Sequence, residues 1–299
     1  TLYFTKPAYL SVKSMQLVVD LKEEDQPKTV PIEDIGFMII ENMQVTLSTP
    51  LIEKLMDNNV VVLFCNSKHH PQSMLLNMEG NYEQAEVFRQ QANASEPLKK
   101  NLWKQTVVAK IRNQASVLEK TTGDSASLRS LAQQVKSGDS SNREGIAARA
   151  YWKKLFGKNF IRERYGEWPN ALLNYGYIVL RAAMARALTG SGLLPAFGIF
   201  HKNRSNAFCL ADDMMEPYRP MVDLLVYDLY QKYPDWDVME KEMKAELLQI
   251  LSSDVQMMKN TRPLMIALTH TSASLVACFK GEKKNLEFEF WTINGFTDE

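Results

Sequence analysis

Cysteine is scarce in this 299-residue chain. Cys65, Cys209 and Cys278 are odd in number, far apart and without a CxxC pair. That argues against a disulfide framework and a zinc knuckle, and it suits a reducing compartment in which all three are small buried apolar residues. Net charge is also absent, with 35 Lys and Arg balancing 35 Asp and Glu, so no global field draws the chain to nucleic acid. No apolar run approaches the ~20 residues of a membrane span. No glycine-rich phosphate loop follows any strand-like segment, which counts against a nucleotide-binding α/β domain. The opening TLYFTKPAYL lacks the basic-then-apolar layout of a secretory leader, and we expect a soluble, cytoplasmic chain.

What is present begins with a core. At 45% hydrophobic, the chain can fill one large domain or two ordinary ones. Residues 1–66 read as short strands: LYF, YLSV, MQLVVD, KTVPI, IGFMII and QVTL are β-branched or aromatic and separated by polar breaks. STPLIEKLMDNN (48–59) opens on a capping serine and has helical spacing, and VVVLFC (60–65) is a buried strand. His69 and His70 follow in a loop; as neighbours on extended chain they point to opposite sides and make a poor joint metal site. Residues 71–82 are polar and irregular and are expected to be a linker. From there helical spacing dominates, at 99–120, 126–135, 170–188, 217–233, 238–251 and 262–279. NLEFEFW (285–291) alternates like a strand, with a frayed tail as the other reading. The expected architecture is α+β: a small β domain over 1–70, a linker over 71–82 and an all-helical domain over 83–299.

Charge is segregated along this neutral chain. From 143 to 164 seven basic residues (Arg143, Arg149, Lys153, Lys154, Lys158, Arg162, Arg164) face two acidic ones, whereas 212–246 holds ten acidic residues against four basic. Such a basic stretch grips phosphate locally or is simply a solvated face.

The segment GIFHKNRSNAFCLADDMMEPYRP (198–220) carries His201, then Lys202 and Arg204, then Asp212, Asp213 and Glu216. Imidazole and carboxylates suit a divalent cation, and the basic residues suit phosphate. Three carboxylates within one turn repel one another unless something neutralises them, and a metal would do so. The plainer reading is a solvated acidic helix end, closed at Glu216 because Pro217 follows. A second carboxylate is out of place: in SSNREGIAARAYWKKLFG (140–157), Glu144 shares a helix face with Ala147, Ala148, Tyr151 and Leu155. It is either a buried ligand or a first-turn carboxylate favoured by the helix dipole, and the two are compatible. Asn174 and Arg181, seven apart on an apolar helix, offer a third wall.

Taken in order, NREGIAARAYW, NALLNYGY, GIFHKNRSNAF and DDMMEPYRP resemble the motifs of the CRISPR-associated integrases of spacer acquisition, the Cas1 family, most closely in its type II form. VVVLFCNSKHHP is similar to the end of that family's N-terminal β domain. The resemblance implies that Glu144, His201 and Glu216 are catalytic and hold Mg²⁺ or Mn²⁺, with Asp213 one turn before Glu216. It implies DNA contacts by Arg143, Arg149, Lys153, Lys202, Arg204 and Arg219. The implied activity is metal-dependent integration of short foreign DNA into a repeat array, by attack of 3′-hydroxyls on phosphodiesters, with nuclease activity when water is the nucleophile. The implied partners are double-stranded DNA (protospacer and repeat), a second copy of the chain in an asymmetric homodimer, a dimer of the small Cas2 protein and other type II adaptation proteins, with no membrane. Two other functions compete: a catalytically silent DNA-holding scaffold, and a metal-dependent repair nuclease acting on branched DNA.

Overall fold

The computed structural model describes residues 1–77, 79–163, 168–233, 238–257 and 260–288. It divides into two compact units, Thr1–Tyr82 and Glu83–Glu299. The first contains strands β1 (Leu2–Phe4), β2 (Ala8–Lys13), β3 (Gln16–Leu21), β4 (Lys28–Pro31), β5 (Phe37–Ile40) and β6 (Thr46–Leu47), helix α1 (Thr49–Asp57), and strands β7 (Val61–Cys65) and β8 (Pro71–Leu75). They form two four-stranded sheets, ordered β1-β5-β7-β8 and β4-β3-β2-β6. β1, β5 and β7 run parallel, and β5 and β7 are the fully apolar runs FMII and VVLFC, as strands covered on both faces must be. β2 and β3 make a hairpin whose two turn residues, Ser14 and Met15, both have positive φ, the geometry that matches strand twist. Leu10, Leu17, Ile32, Met38, Leu51, Leu55 and Val62 pack into one core.

β8 corrects the linker expected over 71–82. Pro71 begins the strand, at a position where its missing N–H costs least, and β8 pairs antiparallel with β7 through Val62↔Leu75 and Phe64↔Ser73. Its two polar residues, Gln72 and Ser73, are exposed, which is why its composition resembled a loop.

The second unit contains α2 (Gln84–Asn93), α3 (Glu96–Thr122), α4 (Ala126–Gln133), α5 (Arg143–Leu155), α6 (Asn170–Gly190), α7 (Cys209–Met215), α8 (Arg219–Lys232), α9 (Lys241–Leu248), β9 (Asp254–Met257), β10 (Asn260–Pro263) and α10 (Leu264–Phe279). It is therefore mixed rather than all-helical, because β9 and β10 pair antiparallel, Val255 against Arg262. Pro263 explains the shift at 262: the residue before a proline avoids α, so the helix read from 262 starts at Leu264. Residues 285–288 have no regular structure; the rest of NLEFEFW lies outside the described residues, as does Arg164.

α3 is the axis of this unit. Ser95 caps its start by accepting from the Leu98 amide, and Gly123, at φ 70°, ends it in the left-handed conformation that glycine adopts freely. Leu102, Val107, Ile111 and Val117 are fully buried, as their spacing predicts. Four polar residues, Thr106, Lys110, Asn113 and Gln114, are buried on the same helix. Among the described residues no helix is long and apolar enough to cross a membrane.

Candidate active site

Glu144 enters from the first turn of α5. Asn142 caps that helix by accepting from the Gly145 amide, while Asp139 accepts from the amides of Arg143 and Glu144. Ala147, Tyr151 and Leu155 below it are buried, so Glu144 lies in the first turn of α5 and above its core face. Its side chain is 24% exposed.

The carboxylates of 212–216 do not act as one cluster. α7 ends at Met215 and a 3₁₀ turn takes over at Glu216, so the three side chains diverge. Asp212 accepts from Arg181, Nε to Oδ1 at 2.6 Å and Nη2 to Oδ2 at 3.1 Å. Arg181 thus does face the site region, whereas Asn174 accepts from Arg162 instead. Asp213, completely buried, accepts from the backbone amide of Phe200 at 2.9 Å, and its Oδ1 lies 2.5 Å from His201 Nδ1. Gly198 makes this fold-back feasible, since a Cβ there would lie 2.4 Å from His201 O and 2.8 Å from Asp213 Oδ2. Glu216, only 5% exposed, meets Arg219 at Oε1 (3.0 Å) and Lys110 at Oε2 (2.6 Å).

Lys110 completes the arrangement. Its Nζ lies 2.6 Å from Glu144 Oε1 as well as 2.6 Å from Glu216 Oε2, so one ammonium bridges two carboxylates brought from different elements. Arg181 beside Asp212, and Lys110 with Arg219 beside Glu216, offset the repulsion expected from sequence among these carboxylates. Burial alone would raise the Glu216 carboxyl, but Arg219 and Lys110 outweigh it and hold it below the usual carboxylate range. Lys110 is held above its ordinary value in turn, because Glu216 and Glu144 together outweigh the burial that opposes its charge. The bond to Asp213 raises the His201 imidazole against partial burial, and Glu216 and Glu144 are near enough to add to that effect. With Nδ1 turned to Asp213, His201 keeps Nε2 for another partner, and its ring, 46% exposed, packs edge-on against Trp103 and Phe200.

Among the described residues no three His, Cys, Asp or Glu side chains are placed to hold one metal ion together as they stand. The donor set nevertheless fits a hard divalent ion: Glu144 and Glu216 already share a cation between them, and His201 adds an oriented imidazole.

The basic residues fall into two groups. Arg149, Lys153, Lys202 and Arg204 are exposed, with Lys202 3.3 Å from Glu96. Arg143 is half-buried, and Arg219 turns inward, to Glu216 and to the face of the Tyr177 ring at 4.7 Å.

A further cluster escaped the sequence reading. Asp223 on α8, 1% exposed, accepts from Tyr151 of α5 (3.0 Å) and from Tyr177 of α6. Burial pushes its carboxyl up to about 7, against the opposing pull of the two hydroxyls. It ties the helix that carries Glu144 to the helix that carries Arg181.

Fold and site together define a class: a β-rich unit followed by a helix-rich unit that bears two carboxylates bridged by one ammonium and a histidine oriented by a further carboxylate. The family model for "CRISPR associated protein Cas1" matches residues 2–247, and the chain belongs to the Cas1 family. It is 44% identical over 240 residues to the CRISPR-associated endonuclease Cas1 of Neisseria meningitidis serogroup C (strain 8013), covering 80% of this chain and 75% of the relative. It is 28% identical over 273 residues to a second such endonuclease, from Francisella tularensis subsp. novicida (strain U112), covering 83% of each. Among solved structures, the fold is shared with a casposase bound to an integration product (TM-score 0.76, 20% identity, 98% of this chain and 95% of the other). It is also shared with a Cas1 protein from Thermotoga maritima (TM-score 0.73, 17% identity, 94% and 97%).

Proposed function

We infer that this chain is a DNA endonuclease and integrase that inserts short foreign DNA into a CRISPR array, with the site built on Glu144, His201 and Glu216. Its relatives are endonucleases by name, and one neighbour of the same fold is held on an integration product. The observation that carries the reading is the pairing of Glu144 and Glu216 across a single cation position, with His201 oriented beside it by Asp213.

Mg²⁺ or Mn²⁺ bound there would polarise a phosphoryl oxygen and stabilise charge on the attacking and leaving oxygens. The rest is the work of this chain's own residues. Glu144 and Glu216 supply oxygen ligands; Asp213 fixes the imidazole so that Nε2 faces the reaction; Arg219 keeps Glu216 ionised. The exposed Arg149, Lys153, Lys202 and Arg204, with Arg143, hold DNA phosphates, a salt-dependent and largely sequence-independent grip. Double-stranded DNA, a second copy of the chain and Cas2 are the partners we propose, and the cytoplasm the compartment. Solved neighbours that include a Cas6-RT-Cas1–Cas2 complex support the Cas2 assignment.

The test is strand transfer of a short labelled DNA into a supercoiled plasmid carrying a repeat, with Cas2 and Mn²⁺. Joined product from the wild type and none from Glu144→Ala is the expected result. Joined product from both would remove Glu144 from the site. Binding without any joining would favour a scaffold, and cleavage of branched DNA without joining would favour a repair nuclease.

A further inference from the structure

Lys110 stands where the divalent ion of the proposed function would stand, and this inference rests on that reading. Its Nζ is in contact with Glu144 and Glu216 at 2.6 Å each, and its side chain is 11% exposed. Carboxylate oxygens bind Mg²⁺ at about 2.1 Å, so an ion between the same two oxygens would sit on top of the ammonium. The two cations exclude each other by volume and by charge.

Nothing else in the cluster duplicates this position. Arg219 holds the other oxygen of Glu216, Arg181 is committed to Asp212, and Asp213 to His201. The surroundings also tolerate an exchange. When the ammonium leaves, Glu216 keeps Arg219, and Glu144 is exposed enough to be hydrated. We propose that Lys110 is an internal counter-ion that fills the cation position between Glu144 and Glu216 and must be displaced by the metal, so that Lys110 sets the metal affinity of the site. The ammonium partners both carboxylates while no metal is bound, and a divalent ion then has to compete for them.

The experiment is Mn²⁺ binding to the full chain without DNA, read from the loss of the free-ion electron paramagnetic resonance signal. It compares the wild type with Lys110→Met, which keeps the stem and removes the charge, and with Lys110→Arg, which keeps the charge. Lys110→Met should bind Mn²⁺ about tenfold more tightly than the wild type, and Lys110→Arg no more tightly. Unchanged or weaker binding by Lys110→Met would overturn the proposal while leaving the metal site intact. No binding by wild type or variant would remove the metal site itself, and the proposal with it. Should Lys110→Met fail to fold, the wild type supplies the answer: modification of Lys110 by an amine-reactive reagent, followed by mass spectrometry, should rise several-fold on adding Mn²⁺. No rise would overturn the displacement.

Discussion

Around Lys110, two carboxylates face an ammonium and a guanidinium, and Glu216 is held firmly ionised; around Asp223, a carboxyl faces two tyrosine hydroxyls and is pushed towards neutrality. Both clusters are buried in the same helix-rich unit. The first opens to solvent at Glu144 and His201, whereas Asp223 is 1% exposed. A charged cluster with an open side can exchange its cation for another. A sealed one, whose carboxyl accepts from hydroxyls on two other helices, holds those helices together. The proposed chemistry belongs with the first, and the second is architecture.

The comparison breaks most visibly in activity. Glu144→Ala should reduce metal-dependent DNA joining by about 10³-fold or more while moving Tm little, since Lys110 keeps Glu216 as its partner. Product yield and calorimetry on the same preparations check it, and a collapse of Tm would make Glu144 structural. Asp223→Ala should do the converse. Leaving two buried tyrosine hydroxyls without their acceptor costs about 3 kcal/mol, visible in denaturant unfolding.

The sharper test of the sealed cluster is its pH dependence. The Asp223 carboxyl is raised from 3.8 to about 7 in the folded chain, so between those values the folded state holds a proton that the unfolded state has lost. Its contribution to stability therefore falls as pH rises from about 4 to about 7 and is level above that. Asp223→Asn cannot titrate, and the Tm difference between wild type and variant should shift by several degrees between pH 5 and pH 8. A constant difference would mean that Asp223 is ionised throughout.

The smallest effects belong to the exposed basic residues. Arg149→Ala and Lys153→Ala should each weaken DNA binding a few-fold on any sequence and reduce the salt slope by about one, measured by fluorescence anisotropy.

The strands of the first unit were legible because each is a short apolar or alternating run bounded by polar breaks, and β5 and β7 announce their burial by having no polar face. β8 was not, because its polar pair and leading proline imitate a loop, and only pairing with β7 makes it a strand. Glu144 was legible as a carboxylate on an apolar helix face. The separate fates of Asp212, Asp213 and Glu216 were not, since they depend on a 3₁₀ turn and on partners such as Arg181 and Lys110 that lie 31 and 106 residues away in sequence. One local signal for Lys110 exists: Thr106, Lys110 and Asn113 recur at i, i+4 and i+7, on the side of the helix that also carries Leu102 and Val117 and away from exposed Asn101, Arg112 and Glu119. Asp223 leaves no such mark, because a lone aspartate on an amphipathic helix looks solvated until two tyrosines from other helices close over it.

The measurement that bears most directly on the assignment uses His201→Ala, with strand transfer and DNA affinity read in parallel at fixed salt and Mn²⁺. The account predicts that joining is abolished while affinity for the DNA stays within about twofold, because the imidazole serves the reaction and the exposed basic residues serve the grip. Full joining by His201→Ala would contradict it.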